Sequence, residues 1–309
     1  MQASERANFL GETLFHFLGH GSNDQLFDIF DSIVRRGLLL TVGNKQGKLD
    51  RFRISLSNGT VEAIEIMQRA RACFTDIPER HLAAHGEEYG RFGIGFSRKT
   101  ILSWGGNPVI YLPNHPSADT FESTMGSMLY MQHRIPLLLA ALKACMAPGN
   151  ATLTINQKTL AGEERDQYIH QAELSLRYMW SFVKEMSGDE NDYRYLYERE
   201  WRVVEGGVLN GNSAARLLTG EEAHELASKC PRWNNPIQME PENLQRFPHQ
   251  HAHQFFHFFN GVSGKTISQE MQTLLVPDED LRARVQEYLE RHPERFSEPK
   301  PNVKVFSGI

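Results

Sequence analysis

Apolar positions along this chain recur at two spacings, and the switches between them mark its elements. Leu14–Gly19 is a short apolar run of β-formers. Leu26, Phe30, Ile33 and Val34 then fall on one helical face, opened by Ser22/Asn23 and stopped at Gly37. Leu38–Val42 reads as a strand. A weaker alternation between Arg51 and Ile66 flanks Asn58-Gly59, a dipeptide suited to a tight hairpin turn. Ala72–Phe74 is a further strand, ending at Thr75-Asp76-Ile77-Pro78, where the proline opens a short helix over Glu79–Glu88. Phe92–Phe96 is a glycine-punctuated strand, and Pro108–Leu112 is another.

The middle of the chain changes period. Ser117 opens a helix to Arg134, Pro136 breaks it, and Leu137–Cys145 resumes it. A second long helix is predicted over Glu163–Met186, with Ile169, Ala172, Leu176, Met179 and Val183 on one face. Strand pattern returns over Tyr193–Val204. Thr219-Gly220-Glu221-Glu222 has the spacing of a capping box. Thr273–Val276 leads through Pro277-Asp278 into a last helix carrying Leu281, Val285 and Leu289. Strands on both sides of a helical stretch predict an α+β fold: a mixed or antiparallel sheet core in a single domain over 1–309, with a helical insertion at about 117–190.

Composition narrows this further. Apolar residues are 40% of the 309, enough for a full core and outside the disordered range. No apolar run reaches the roughly 20 residues that span a bilayer, and MQASERANFL lacks a signal-peptide apolar stretch. Three widely spaced cysteines do not make a disulfide framework, so the expected location is cytoplasmic. A net charge of −5 excludes a general nucleic-acid-binding coat. The local group Arg35, Arg36, Lys45, Lys48, Arg51 and Arg53 is either a solvated hairpin face or a polyanion-facing surface.

The sharpest candidate chemistry is Glu198-x-Glu200. Residues two apart share a face of a strand, so both carboxylates project together with Arg202 beside them, while Tyr195, Tyr197, Arg199 and Trp201 take the other face. Two close carboxylates raise the pKa of at least one, which suits acid–base work or support of a cationic transition state. The same spacing also suits a salt-bridged ladder in which Arg199 and Arg202 neutralise both. His16, between Phe15 and Phe17, is either a satisfied core residue or a functional one; it takes the face opposite both phenylalanines, so if they are in the core it faces out or into a cleft. Thr75 and Asp76 can cap the helix that follows. Cys73 reads as a buried structural thiol, since nothing nearby lowers its pKa.

Other motifs carry less. His81 and His85 have i,i+4 spacing without the glutamate of a zinc helix. His249, His251, His253 and His257 lie among phenylalanines, as a polar edge or a metal site; no metal is favoured. Gly261–Thr266 (GVSGKT) resembles the end of a phosphate loop, but Phe259 stands where its first glycine belongs, so a turn is expected.

The order LFHFLG, Arg36-Gly37-Leu38, CFTDIP, YGRFGIGF, NPVIYL, YEREWR and LLVPDEDLRARVQEYL resembles the AbiGi family of bacterial abortive phage-resistance proteins. That resemblance implies a phage-defence component, the antitoxin of a two-gene system, with a toxin or phage protein as partner. The motif order is also similar to that of ADP-ribosyltransferases, which carry an early His or Arg strand, a middle strand ending in a small hydroxyl or aromatic residue, and a late E-x-E. This second similarity implies NAD as cofactor and an ADP-ribosyltransferase-like fold. It places His16 on the nicotinamide ribose, Thr75, Tyr89 and Phe92 along the cofactor, and Glu200 with Glu198 as the catalytic carboxylates.

Overall fold

The computed structural model describes residues 12–41, 50–55, 61–66, 69–78, 82–113, 152–155, 158–186, 199–205, 215–222, 225 and 257–306. Contacts divide the chain into two compact units, one of 1–48, 69–109 and 194–309, the other of 49–68 and 110–193. Chain order begins β1 (Thr13–Phe17), α1 (Asn23–Arg36), β2 (Leu38–Leu40), β3 (Asp50–Ser55), β4 (Val61–Ile66), β5 (Arg71–Thr75), α2 (Leu82–Tyr89), β6 (Gly93–Ser97) and α3 (Arg98–Ser103). It continues through β7 (Asn107–Pro108), β8 (Ile110–Pro113), β9 (Thr152–Ile155), β10 (Lys158–Ala161), α4 (Gly162–Trp180), β11 (Val183–Met186) and β12 (Glu200–Val204). It closes with β13 (Ala215–Leu217), β14 (His257–Phe259), β15 (Met271–Val276), α5 (Glu279–Arg291) and β16 (Asn302–Val305). The fold class is therefore mixed α and β around a mostly antiparallel sheet.

That sheet is the frame of the first unit. Its seven strands run in the order β16-β15-β6-β1-β5-β12-β7, antiparallel except for the β15–β16 pair. Period-two alternation gives it two faces. Leu14, Phe74, Ile94, Phe96, Trp201 and Leu274 point into the larger core, which α1 and α5 close with Phe30, Val34, Leu281 and Val285. On the opposite face Phe15 and Leu275 pack with Ile77, Leu82 and Phe306. Gly95 makes that second layer possible, because a Cβ there would lie 2.6 Å from Thr13 Cγ2 and 2.8 Å from the Phe15 ring. A smaller sheet of the same unit runs β13-β14-β2.

The caps read from sequence are in place. Ser22 Oγ accepts from the Gln25 amide while Gln25 Oε1 accepts from the Ser22 amide, a reciprocal box at the start of α1. Gly37 ends the helix at φ +97°, where a Cβ would come within 2.2 Å of the Phe259 carbonyl oxygen. Thr219 and Glu222 likewise exchange backbone-to-side-chain hydrogen bonds of 3.0 and 3.2 Å. Asp278 caps α5 and also accepts from Asn23 Nδ2 at 2.9 Å, tying the ends of α1 and α5 together.

Several expectations are corrected. The helix predicted to reach Met186 stops at Trp180, and Val183–Met186 pairs in parallel with β8. A β-branched residue at 183 that is fully buried against a strand partner wins over helical periodicity. Met179, read onto the apolar face of that helix, is exposed. The β9–β10 hairpin and the short helix α3, capped by Ser97, were not legible as elements. Asn58-Gly59, the helices over 117–145 and the tyrosines at 193–197 lie outside the described residues. Among the described residues, no helix is long and apolar enough to cross a membrane.

Candidate functional site

The three strands that carry the sequence-predicted site are neighbours. β1 brings His16, β5 brings Cys73 and Thr75, and β12 brings Glu200 and Arg202, in that order across the sheet. Register then assigns the faces. Phe15 stands opposite Thr75, Thr75 opposite Glu200, and Cys73 opposite Arg202. Cys73, Thr75, Glu200 and Arg202 therefore share one face, the face of Phe15. His16 belongs to the other, with its ring 5.6 Å from that of Phe74.

Glu200 and Arg202 form a buried ion pair, Nε to Oε1 at 2.7 Å, with side chains 9% and 4% exposed. Their i,i+2 spacing on one strand face makes this the local solution to burying both charges. The Cys73 thiol stands over the pair. Solvent reaches the residue, yet burial and the Glu200 carboxylate, to which the thiol donates, push its pKa up to about 12. The expected buried structural cysteine is thus an exposed one, held protonated by its surroundings.

His16 lies at the seam of β1 and β5. Those strands share a single register pair, and the imidazole Nδ1 bonds the Cys73 carbonyl at 2.8 Å. A carbonyl only accepts, so Nδ1 carries the proton and Nε2 keeps its lone pair. Burial lowers the pKa of His16, which keeps the ring neutral.

Asp76 is drawn into a cluster of arginines. It is 2% exposed, and its carboxylate takes Arg98 at 2.9 Å and Arg199 at 3.6 Å. Arg199 enters β12 with φ +45°, an uncommon conformation for a residue with a side chain, while its carbonyl accepts from the Asp76 amide. The Arg98 guanidinium also lies 5.3 Å from the centre of the Trp201 ring. CFTDIP, GFSRK and EREWR, three separate sequence motifs, thus meet at one end of the sheet. Sequence reading missed this, because it paired Arg199 with the glutamates; only the coincidence of all three motifs in the resemblance hinted at it.

The remaining candidates fall elsewhere. Phe92 is fully buried and stacks on Phe30 at 5.6 Å, which removes it as a ligand platform. Tyr89 stacks on His85 at 4.4 Å, and burial takes the His85 pKa down to about 4. Lys265 pairs with Glu270 at 3.1 Å and the Thr266 amide donates to Gln269 Oε1, so GVSGKT is a turn whose groups are already engaged. Arg35 pairs with Asp31 and Arg36 with Glu225, which makes that part of the basic group a salt-bridged helix end. Glu198, His81, His249, His251 and His253 lie outside the described residues. His257 sits on β14 with Nε2 3.9 Å from Glu205, and no group of three metal-ligating residues occurs among the described residues.

The family model described as "Putative abortive phage resistance protein AbiGi, antitoxin" matches residues 51–229, more than half of the chain, and the chain belongs to that family. No curated protein matches it, and no solved structure does.

Proposed function

We propose that this protein is an antitoxin that restrains a toxin partner by binding it, without chemistry of its own. The observation that carries this reading is the Glu200–Arg202 pair. A carboxylate 2.7 Å from a buried guanidinium has its charge engaged, and supporting a cationic transition state would mean breaking the pair. The family description, an antitoxin in abortive phage resistance, supports the same role. The test is co-expression with the second gene of its pair. Growth rescue with co-purification of the two proteins is expected; rescue without a complex would overturn binding as the mode of action.

One observation favours a second reading, an NAD-using transferase or glycohydrolase. The His16, Thr75 and Glu200 strands are adjacent and in the order that the motif similarity requires. Against it stand the opposite faces of His16 and Glu200 and the burial of Phe92. Nicotinamide release from NAD by the purified protein, alone and with lysate of phage-infected cells, separates the readings. Release that Glu200→Gln abolishes would replace the binding role with an enzymatic one.

A further inference from the structure

The main sheet carries two apolar layers of unequal size. The larger core takes helices α1 and α5, whereas the second layer is a separate cluster of Phe15, Ile77, Leu82, Leu275 and Phe306 with Phe17 against it. α2 is the helix of that second layer. Leu82 is fully buried in it, and Gly86 lets the Phe306 ring lie on the helix, since a Cβ there would come within 2.4 Å of Phe306 Cζ. Among the described residues, no side chain of α2 belongs to the larger core. A helix attached through so small a cluster can leave without opening the rest of the fold.

His85 is the titratable group in this attachment. Its ring lies 5.0 Å from that of Phe17 and stacks on Tyr89 at 4.4 Å, an apolar berth for a group that can take a charge. The charged and titratable groups around it come from three places. On and just after α2 they are Glu87, which pairs with Arg91, the exposed Glu88, and Tyr89 itself. After β1 comes His20, whose Nε2 donates to the Glu88 carbonyl at 3.0 Å. On β16, Lys304 shares the sheet face of Leu275. β15 brings no charged residue, and the one histidine of β1, His16, takes the opposite face. Burial is what lowers the pKa of His85, from 6.5 to about 4. Protonation of His20 leaves its bond in place, because an imidazolium donates from both nitrogens.

We propose that α2 is an acid-released cover: protonation of His85 detaches it from the second layer while the larger core stays folded. Release bares Phe15 and Leu275 beside Thr75, which is the cross-strand neighbour of both Phe15 and Glu200. The direction follows from linkage. In the open form the imidazole meets water and takes its proton near 6.5, while the docked form refuses it until about 4. Docking is therefore undiminished above about pH 6.5 and weakens as pH falls toward 4. The ratio of the two titrations makes the open form about fourfold more populated at pH 6 than at pH 8, and about thirtyfold at pH 5. The device stands on the packing of the second layer and does not depend on the antitoxin reading.

Hydrogen exchange of the full chain at pH 8, 6 and 5 tests this, read at the amides of residues 86–90 and corrected for the intrinsic exchange rate. In wild type their protection is expected to lie below that of β6 and β15 at each pH, and to fall about fourfold and then about thirtyfold from its value at pH 8. His85→Phe keeps a ring between Phe17 and Tyr89 and is expected to hold the protection of 86–90 constant over the same range. His85→Gln, which removes the titration without adding an apolar ring, is expected to do the same. His20→Gln, which keeps a donor for the Glu88 carbonyl, is expected to retain the wild-type fall. Protection of 86–90 equal to that of β6 and β15 at every pH would show that α2 opens only with the whole fold, and would overturn the cover. A fall that persists in both His85 variants would overturn His85 as its trigger.

Discussion

Glu200 and Arg202 show how one strand position can be chosen by electrostatics rather than by packing. Removing one partner of a buried pair leaves a charge without compensation, at a cost on the order of 3–5 kcal/mol. Glu200→Ala is therefore expected to lower stability by about that much in urea melts. Glu200→Leu combined with Arg202→Met is expected to recover most of the loss; a double variant as unstable as the single one would show that the pair does more than neutralise itself. The thiol beside it makes a second test. A pKa near 12 leaves about one Cys73 thiol in ten thousand ionised at pH 8. Alkylation of the Cys73 peptide, followed by mass spectrometry, should be slow in wild type despite its exposure, and faster in Glu200→Ala.

Histidine titration belongs to the same scale. Burial lowers the pKa of His85 from 6.5 to about 4, and shifts His16 and His257 in the same direction. The unfolded chain then takes protons that the folded chain refuses. Stability is complete above about pH 6.5 and falls as pH drops toward 4. His85→Phe, which keeps a ring against Tyr89 and Phe17, is expected to reduce the loss of melting temperature between pH 7 and pH 5. An unchanged pH profile would place the titration elsewhere.

Elements follow local rules where their caps are intact. The cap at Ser22/Asn23 and the stop at Gly37 were both legible in the sequence, because capping depends on residues three or four apart; the reciprocal bond from Gln25 was not read. Ser22→Ala is expected to cost about 1 kcal/mol. Gly37→Ala should cost more, since it combines a strained φ with a Cβ 2.2 Å from the Phe259 carbonyl. Equal melting temperatures for the two variants would contradict that ranking. α4 shows where local reading fails. Its periodicity continues through Val183–Met186, and only the parallel partner strand β8, about seventy residues earlier, turns that segment into a strand.

At the scale of the whole molecule, the first unit is assembled from distant parts of the chain. β1 pairs with β5 and β6, β5 with β12, and β6 with β15. The family match at 51–229 includes β5, β6 and β12 but omits β1, β15, α1 and α5. A fragment of 51–229 therefore lacks the strand between β5 and β6 and both helices that close the larger core. It is expected to be insoluble or molten, judged by near-ultraviolet circular dichroism; a cooperative melt from that fragment would show that its strands pair in some other way.

The sequence by itself determined the strands at Thr13–Phe17, Arg71–Thr75 and Gly93–Ser97, the capped helices α1 and α5, and the shared face of Glu200 and Arg202. Period-two and period-3.6 patterns and cap chemistry act over a few residues, so they can be read without knowing the fold. Tertiary structure alone decided that Arg199 and Arg98 turn to Asp76, that Phe92 is sealed in the core, and that His16 faces away from Glu200. Each of these depends on which strands lie side by side and in what register. Register is set by the sum of many weak contacts between residues far apart in the chain, and no single segment carries that sum.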